Sequence, residues 1–224
     1  MRLLLLPLIM TASLLLSACA SLPPADPQRA QRLYQEAQTQ VLRDDYPGAA
    51  RLYEEAARYA PQNADYWLQW GDLLEATDDS DEAAEAWTDA LTLLPLDDPL
   101  RPTLVYRLGL LLAGPLQQPL VAKELRDQLQ NPVMRGDLDA VLAMAGKRPA
   151  ATLTILKQTL PLATDQDQQA RIYFHAAQAH AQLGNFADSR EMLFYAVNSA
   201  TSPGLKVAIR TLFTELINQP QQQK

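Results

Sequence analysis

Cys19 is the only cysteine in the 224-residue chain, so no disulfide can form within it. Its thiol is either a site for acylation or a small residue of no special role in the apolar stretch that precedes it. His175 and His180 are the only histidines. Five residues apart on a helix, they point about 140° from each other, and do not converge on one metal as histidines four apart do. Each is expected to be structural or exposed. The densest acidic group, Asp78, Asp79, Asp81, Glu82 and Glu85, lacks the glycine and the alternating oxygen ligands of a calcium loop. Its carboxylates suit the start of a helix, where they meet the positive end of the macrodipole. No G-x-S-x-G elbow, H-E-x-x-H pair, phosphate loop or dinucleotide fingerprint occurs. The sequence therefore calls for no catalytic residue, no metal and no cofactor, and implies no small-molecule substrate. The net charge of −7 also has the wrong sign for gripping a phosphate backbone, so nucleic acid is not an expected partner.

Chemistry being scarce, the elements themselves carry the information. With 48% hydrophobic residues and 8 glycines the chain can build a sizeable core, and its Ala, Leu, Gln and Glu favour helix. In Ala64–Asp97, Trp67, Trp70, Gly71, Leu74, Ala83, Trp87, Ala90 and Pro95 make two helical patterns around the polar break Thr77-Asp78-Asp79-Ser80. Asn63 is placed to cap the first helix and Ser80 the second. The pattern recurs 34 residues earlier, with Leu33 under Trp67, Ala37 under Gly71, Ala49 under Ala83, Tyr53 under Trp87, Ala56 under Ala90 and Pro61 under Pro95. A fixed period of this length marks a repeat array, and small residues alternating with aromatics at recurring positions read as packing.

The arrangement W-x2-[WL]-G-x2-[LY], A-x3-[FWY], A, P resembles the tetratricopeptide repeat (TPR). The resemblance implies an all-α, right-handed TPR-like helical solenoid of about five helix pairs plus a C-terminal capping helix. Clear repeats are expected at 30–63, 64–97 and 170–203, a degenerate stretch at 98–169, a cap at 203–219, and a tail at 220–224. In the degenerate stretch Val105, Leu108, Gly109 and Leu112 match at a shift of 38, and Gly136-Asp137-Leu138 echoes Gly71-Asp72-Leu73. In the cap, Leu205, Ala208, Ile209, Leu212, Phe213, Leu216 and Ile217 share one face. In the resembled family the first helix of each pair lines a concave groove. Residue by residue, that puts Tyr34, Gln38, Leu68, Asp72, Phe174 and Gln178 on a partner-binding surface.

The N-terminus reads as an address. A short positive start, an aliphatic run over Leu3–Leu16 and small residues before Cys19 have the layout of a secretory signal. About 16 apolar residues rising 1.5 Å each give ~24 Å, short of the ~30 Å hydrocarbon core, which disfavours an uncleaved anchor. Leu16-Ser17-Ala18-Cys19 resembles the bacterial lipobox, in which the cysteine becomes the acylated first residue of a lipoprotein. Residues 1–18 are then a lipoprotein signal peptide and 19–28 a lipidated, proline-rich tether. Ala20, in place of the Asp that favours inner-membrane retention in that family, points to the outer membrane, with the domain facing the periplasm. Removing 1–18 takes Arg2 away, so the acidic body is held by its acyl chains, palmitate among them, and not by a basic patch. The expectation is a membrane-anchored adaptor that recruits an envelope protein, similar to pilotin and assembly TPR lipoproteins. The alternative is an envelope enzyme or an accessory subunit of one, such as in peptidoglycan turnover.

Overall fold

The computed structural model describes residues 23–218; the expected signal peptide, Cys19 and the tail at 220–224 lie outside the described residues. The chain forms α1 (Pro27–Val41), α2 (Tyr46–Tyr59), α3 (Ala64–Ala76), α4 (Ser80–Leu93), α5 (Arg101–Ala113), α6 (Pro119–Gln128), α7 (Pro132–Ala145), α8 (Pro149–Thr159), α9 (Gln166–Gln182), α10 (Phe186–Ser199) and α11 (Pro203–Asn218). A short 3-10 turn, Leu160–Leu162, follows α8. Helices α1 to α10 pack as adjacent pairs, and each even helix also packs on the next odd one. This is the expected all-α, TPR-like solenoid with a terminal helix.

One local device repeats in every pair. Each turn from odd to even helix contains a residue with left-handed backbone: Asp44 at φ 59°, Asp78 at 67°, Gln117 at 51°, Lys147 at 56° and Gly184 at 76°. Asp and Gly tolerate that region, because a short polar side chain or none relieves the Cβ clash. The residue after it sends its N–H back five residues in four of the pairs: Asp45 to Gln40, Asp79 to Leu74, Arg148 to Ala143 and Asn185 to His180. The bond satisfies a carbonyl that the helix end leaves orphaned. The same residue then opens the next helix, so Asp79 takes the position ahead of α4. Ser80 is consequently the first residue of α4 and not its cap, contrary to the sequence expectation, while Asn63 does cap α3 by accepting the Asp65 N–H. In the third pair Gln118 reaches back six residues, to Leu112, which marks an extra residue in that turn.

Gly71 and Trp87 show why the 34-residue pattern holds. Trp87 is fully buried, and a Cβ on Gly71 would run into its indole nitrogen. A bare backbone on α3 is what lets α4 approach with so large a side chain between them. In the first pair the ring is Tyr53, also buried, and Ala37 suffices opposite it.

The structure also sets the register of the degenerate stretch. Small-to-small spacing is 12 and small-to-large 16 for Ala37–Ala49–Tyr53, Gly71–Ala83–Trp87 and Ala177–Ser189–Leu193, and all nine positions follow one rule. Ala140–Thr152–Leu156 obeys it too, and all three are buried. Thr152 donates its hydroxyl to the Ala140 carbonyl as Ser189 does to Ala177, so the two hydroxyls fill equivalent places. The fourth pair is thus aligned on Ala140. The echo at Gly136 is four residues out of register, and a Cβ there would meet Thr159 instead of an Ala83 or Trp87 equivalent. In the third pair Gly109 faces Leu138, and fully buried Ala122 lies 13 residues on, consistent with the longer turn.

Candidate partner-binding surface

Successive odd helices touch one another from α3 through α5 and α7 to α9, forming one contiguous inner layer. With the register in hand, the positions equivalent to Leu68 are Tyr34, Tyr106, Asp137 and Phe174. Those equivalent to Asp72 are Gln38, Leu110, Val141 and Gln178. The six groove residues expected from the sequence thus fall on α1, α3 and α9, with their missing counterparts on α5 and α7. Tyr34 is half-buried, its ring 4.8 Å from that of Tyr66 and 5.5 Å from that of Tyr53. Leu68, Phe174 and Gln178 are also half-buried, Gln38 is exposed and Asp72 is buried.

Between the two ends the inner layer is charged. Arg107 on α5 has 4% of its surface exposed and donates from Nε to Asp72 Oδ1 at 2.8 Å and from Nη2 to Glu75 Oε2 at 2.8 Å. Its Nη2 also bonds Asp72, and its guanidinium stacks over Trp87. Burial pushes the Asp72 carboxyl up, against the pull of Arg107 and Arg171. Burial opposes the charge on the guanidinium as well, but Asp72 and Glu75 hold it protonated, so we read the pair as ionised.

One repeat further, Asp137 on α7 is fully buried and bonded at both oxygens. The Tyr106 hydroxyl donates to its Oδ2, and His175 Nδ1 lies 2.7 Å from its Oδ1. Burial alone would raise this carboxyl; the His175 imidazole, the two hydrogen bonds and Arg171 overturn that and hold it below the ordinary carboxylate range. Tyr106 is pushed far up by burial and by Asp137, so its phenol stays a donor. His175 is therefore structural. His180 stands apart, its Nδ1 3.6 Å from Asp188. Sequence reasoning neither singles out Tyr106 and Arg107 nor joins Asp137 to His175. The available signal is positional, since Arg107 and His175 both sit two residues before the small packing residue.

The Asp137 oxygens are committed to Tyr106 and His175, and no group of three or more His, Cys, Asp or Glu among the described residues is set to hold a metal ion. A carboxylate with both oxygens bonded fixes the orientation of neighbouring helices; it is not left as a free base.

The last helix completes the surface. α11 packs on α9 and α10, placing Leu205, Ile209 and Leu216 in one cluster with Ala177, Leu193 and Ala196. It does cap the array. Its expected seven-residue face is divided, however: Phe213 and Ile217 are 42% and 61% exposed. α11 also packs on α3, of the second pair. A Cβ on Gly204 would stand 2.6 Å from the Asp72 carbonyl oxygen, so the N-terminal turn of α11 lies against the backbone of α3. Burial and Asp44 raise the Tyr46 phenol, and Arg210 of α11 opposes them. The terminal helix bridges from α9 to α3 across the inner face.

The fold is that of a helical-repeat protein of the TPR type. A scan against family models finds no match, and no match is found among curated proteins. Among solved structures, the chain is similar to one from the APC/C hetero-tetramer Cut9–Hcn1, at 15% identity and a TM-score of 0.56. That match covers 86% of this chain but 38% of the other, which is much longer. It is also similar to PilW, described as a widely conserved type IV pilus biogenesis factor, at 15% identity and a TM-score of 0.54, covering 88% of this chain and 97% of PilW. At such identities the likeness concerns the fold.

Proposed function

We propose that this chain is a membrane-anchored adaptor of the bacterial envelope, docking a peptide or helix of a partner protein on its inner face. The observation that carries the reading is α11 itself: the inner face already receives an amphipathic helix between α3 and α9. Apolar Leu68 and Phe174 and the amides of Gln38 and Gln178 suit a helix laid along a groove. Likeness to PilW across nearly the whole of both chains supports a place in assembling an envelope or pilus complex. The address rests on Leu16-Ser17-Ala18-Cys19 followed by Ala20, which favours lipidation and the outer membrane.

The test is capture of partners from detergent-solubilised membranes by the wild type and by Leu68→Lys and Gln178→Lys variants whose circular dichroism is unchanged. At least one partner should be lost from the variants. Retention of every partner by folded variants removes the groove from the reading. Cys19→Ser should abolish acyl labelling and shift the protein from the membrane to the soluble fraction; unchanged labelling removes the anchor.

A further inference from the structure

We propose that the α3 flank covered by α11 is the docking surface, and that the partner fitting it is an amphipathic helix built like α11, which must displace α11 to bind. This rests on the scaffold reading and adds which surface is used, what fits it and what blocks it. The fit is specific at two places. At Gly204 the helix backbone approaches the Asp72 carbonyl so closely that only a residue without a side chain is accommodated. Leu205, Ile209 and Leu216 then supply an apolar stripe toward α9 and α10.

The way α11 is held concentrates its polar contacts at one end. Among the described residues no ion pair ties it to α3. Its fixed point is the linker: the Thr201 and Ser202 N–H groups both donate to the Asp167 carboxylate at the start of α9. Those bonds hold that carboxyl below its ordinary range against the effect of burial. The Ser202 hydroxyl is buried with no partner. A firmly anchored hinge followed by a helix seated by shape is the arrangement of a tethered ligand. Tethering gives α11 an effective concentration on the order of millimolar, so a free helix of equal intrinsic affinity binds only when α11 is weakened.

The experiment uses a fluorescein-labelled synthetic peptide of this chain's own Pro203–Asn218, titrated by anisotropy against the full-length protein. The wild type should take up little peptide at ~100 µM, because α11 competes at a higher effective concentration. Gly204→Val forces a Cβ against the Asp72 carbonyl, and Asp167→Ala frees the hinge while keeping Gly204. Each should bind the peptide at least tenfold more tightly than the wild type, and a peptide carrying valine at the Gly204 position should not bind. Failure of both folded variants to take up peptide overturns the proposal, as does self-association of the variants in its place. Native-state hydrogen exchange on the unaltered protein tests the displacement without any substitution. Amides of Leu205–Ile209 should open well before those of α10, and protection of α11 up to global unfolding overturns the proposal. If Leu68→Lys abolishes partner capture while no peptide is taken up, the scaffold reading stands and the displacement by a helix falls.

Discussion

Replacing Arg107 by methionine isolates the worth of the charged inner layer. The methionine keeps much of the stem volume but removes the guanidinium that Asp72 and Glu75 share. Asp72, 8% exposed, is left as a buried carboxylate with Arg171 as its remaining cation. Breaking a buried pair from one side costs about 3–5 kcal/mol, since the orphaned charge keeps its desolvation penalty. For a domain of this size that lowers Tm by roughly 6–20 °C. Asp72→Leu alone should cost less, about 1.5–3 kcal/mol, because Glu75 still holds Arg107. In the double variant neither charge of the pair is stranded, and the combined loss should fall short of the sum by at least ~1.5 kcal/mol. Urea denaturation of the four proteins at pH 7, followed by circular dichroism, measures the cycle. Additivity within ~0.5 kcal/mol refutes the claim that these charges depend on one another. A second signature accompanies it. Burial raises the Asp72 carboxyl, and without Arg107 it should rise further. A raised folded value gives stability that is present below the unfolded pKa and lost as pH rises through the folded one. Arg107→Met should therefore regain stability relative to wild type as pH falls toward ~4.

Three further outcomes follow from other parts of the array. Gly71→Ala drives a methyl into the Trp87 ring and should cost about 1–3 kcal/mol by thermal melting, whereas Ala37→Gly, opposite the smaller Tyr53, should cost only the ~1 kcal/mol of helix propensity. Asp137 has a depressed carboxyl, so its contribution is present above the unfolded value of about 3.9 and is lost as pH falls through the folded one; melts from pH 5 to 2 should show a steeper acid loss for wild type than for Asp137→Asn. Lys147 holds left-handed backbone where Gly184 does in the last pair, and Lys147→Gly should stabilise the protein by up to ~1 kcal/mol in urea titrations; a loss of stability would show that the αL strain at this turn is already relieved.

How much of this was legible in the sequence depended on what each position had to satisfy. Gly71, Ala83 and Trp87 are set by steric contact between two helices, and sterics admit few residue types, so the 34-residue period could be read directly, and about five pairs followed from the length it left. Ser189 stands at the position of Ala83 in the last pair and Thr152 in the fourth, each with a hydroxyl that bonds a facing carbonyl, and the change of residue type hid the equivalence of Thr152. The extra residue at Gln117–Gln118 broke the count in the third pair, and Gly136 offered a false landmark. The six residues expected on a partner-binding surface could be assigned to their helices by alignment alone. The Arg107–Asp72 and Asp137–His175 pairs could not be read that way, because their members lie more than 30 residues apart and meet only through the stacking of neighbouring repeats. The divided face of α11 was illegible for the same reason. Helical spacing puts Phe213 and Ile217 on the side that carries Ile209 and Leu216, but does not tell which part of that side α3 leaves open.

The bridge from α11 back to α3 also bears on how the chain acquires its structure. Pairs that touch only their neighbours can fold as they are made, each on the one before, and most of this array is of that kind. The Gly204–Asp72 contact is different, because it joins segments separated by most of the domain and adds a long loop-closure step. It cannot form until the final helix has been synthesised. Until then the flank of α3 and the charged floor beneath it stay open to solvent, and a chain emerging N-terminus first completes its inner face last.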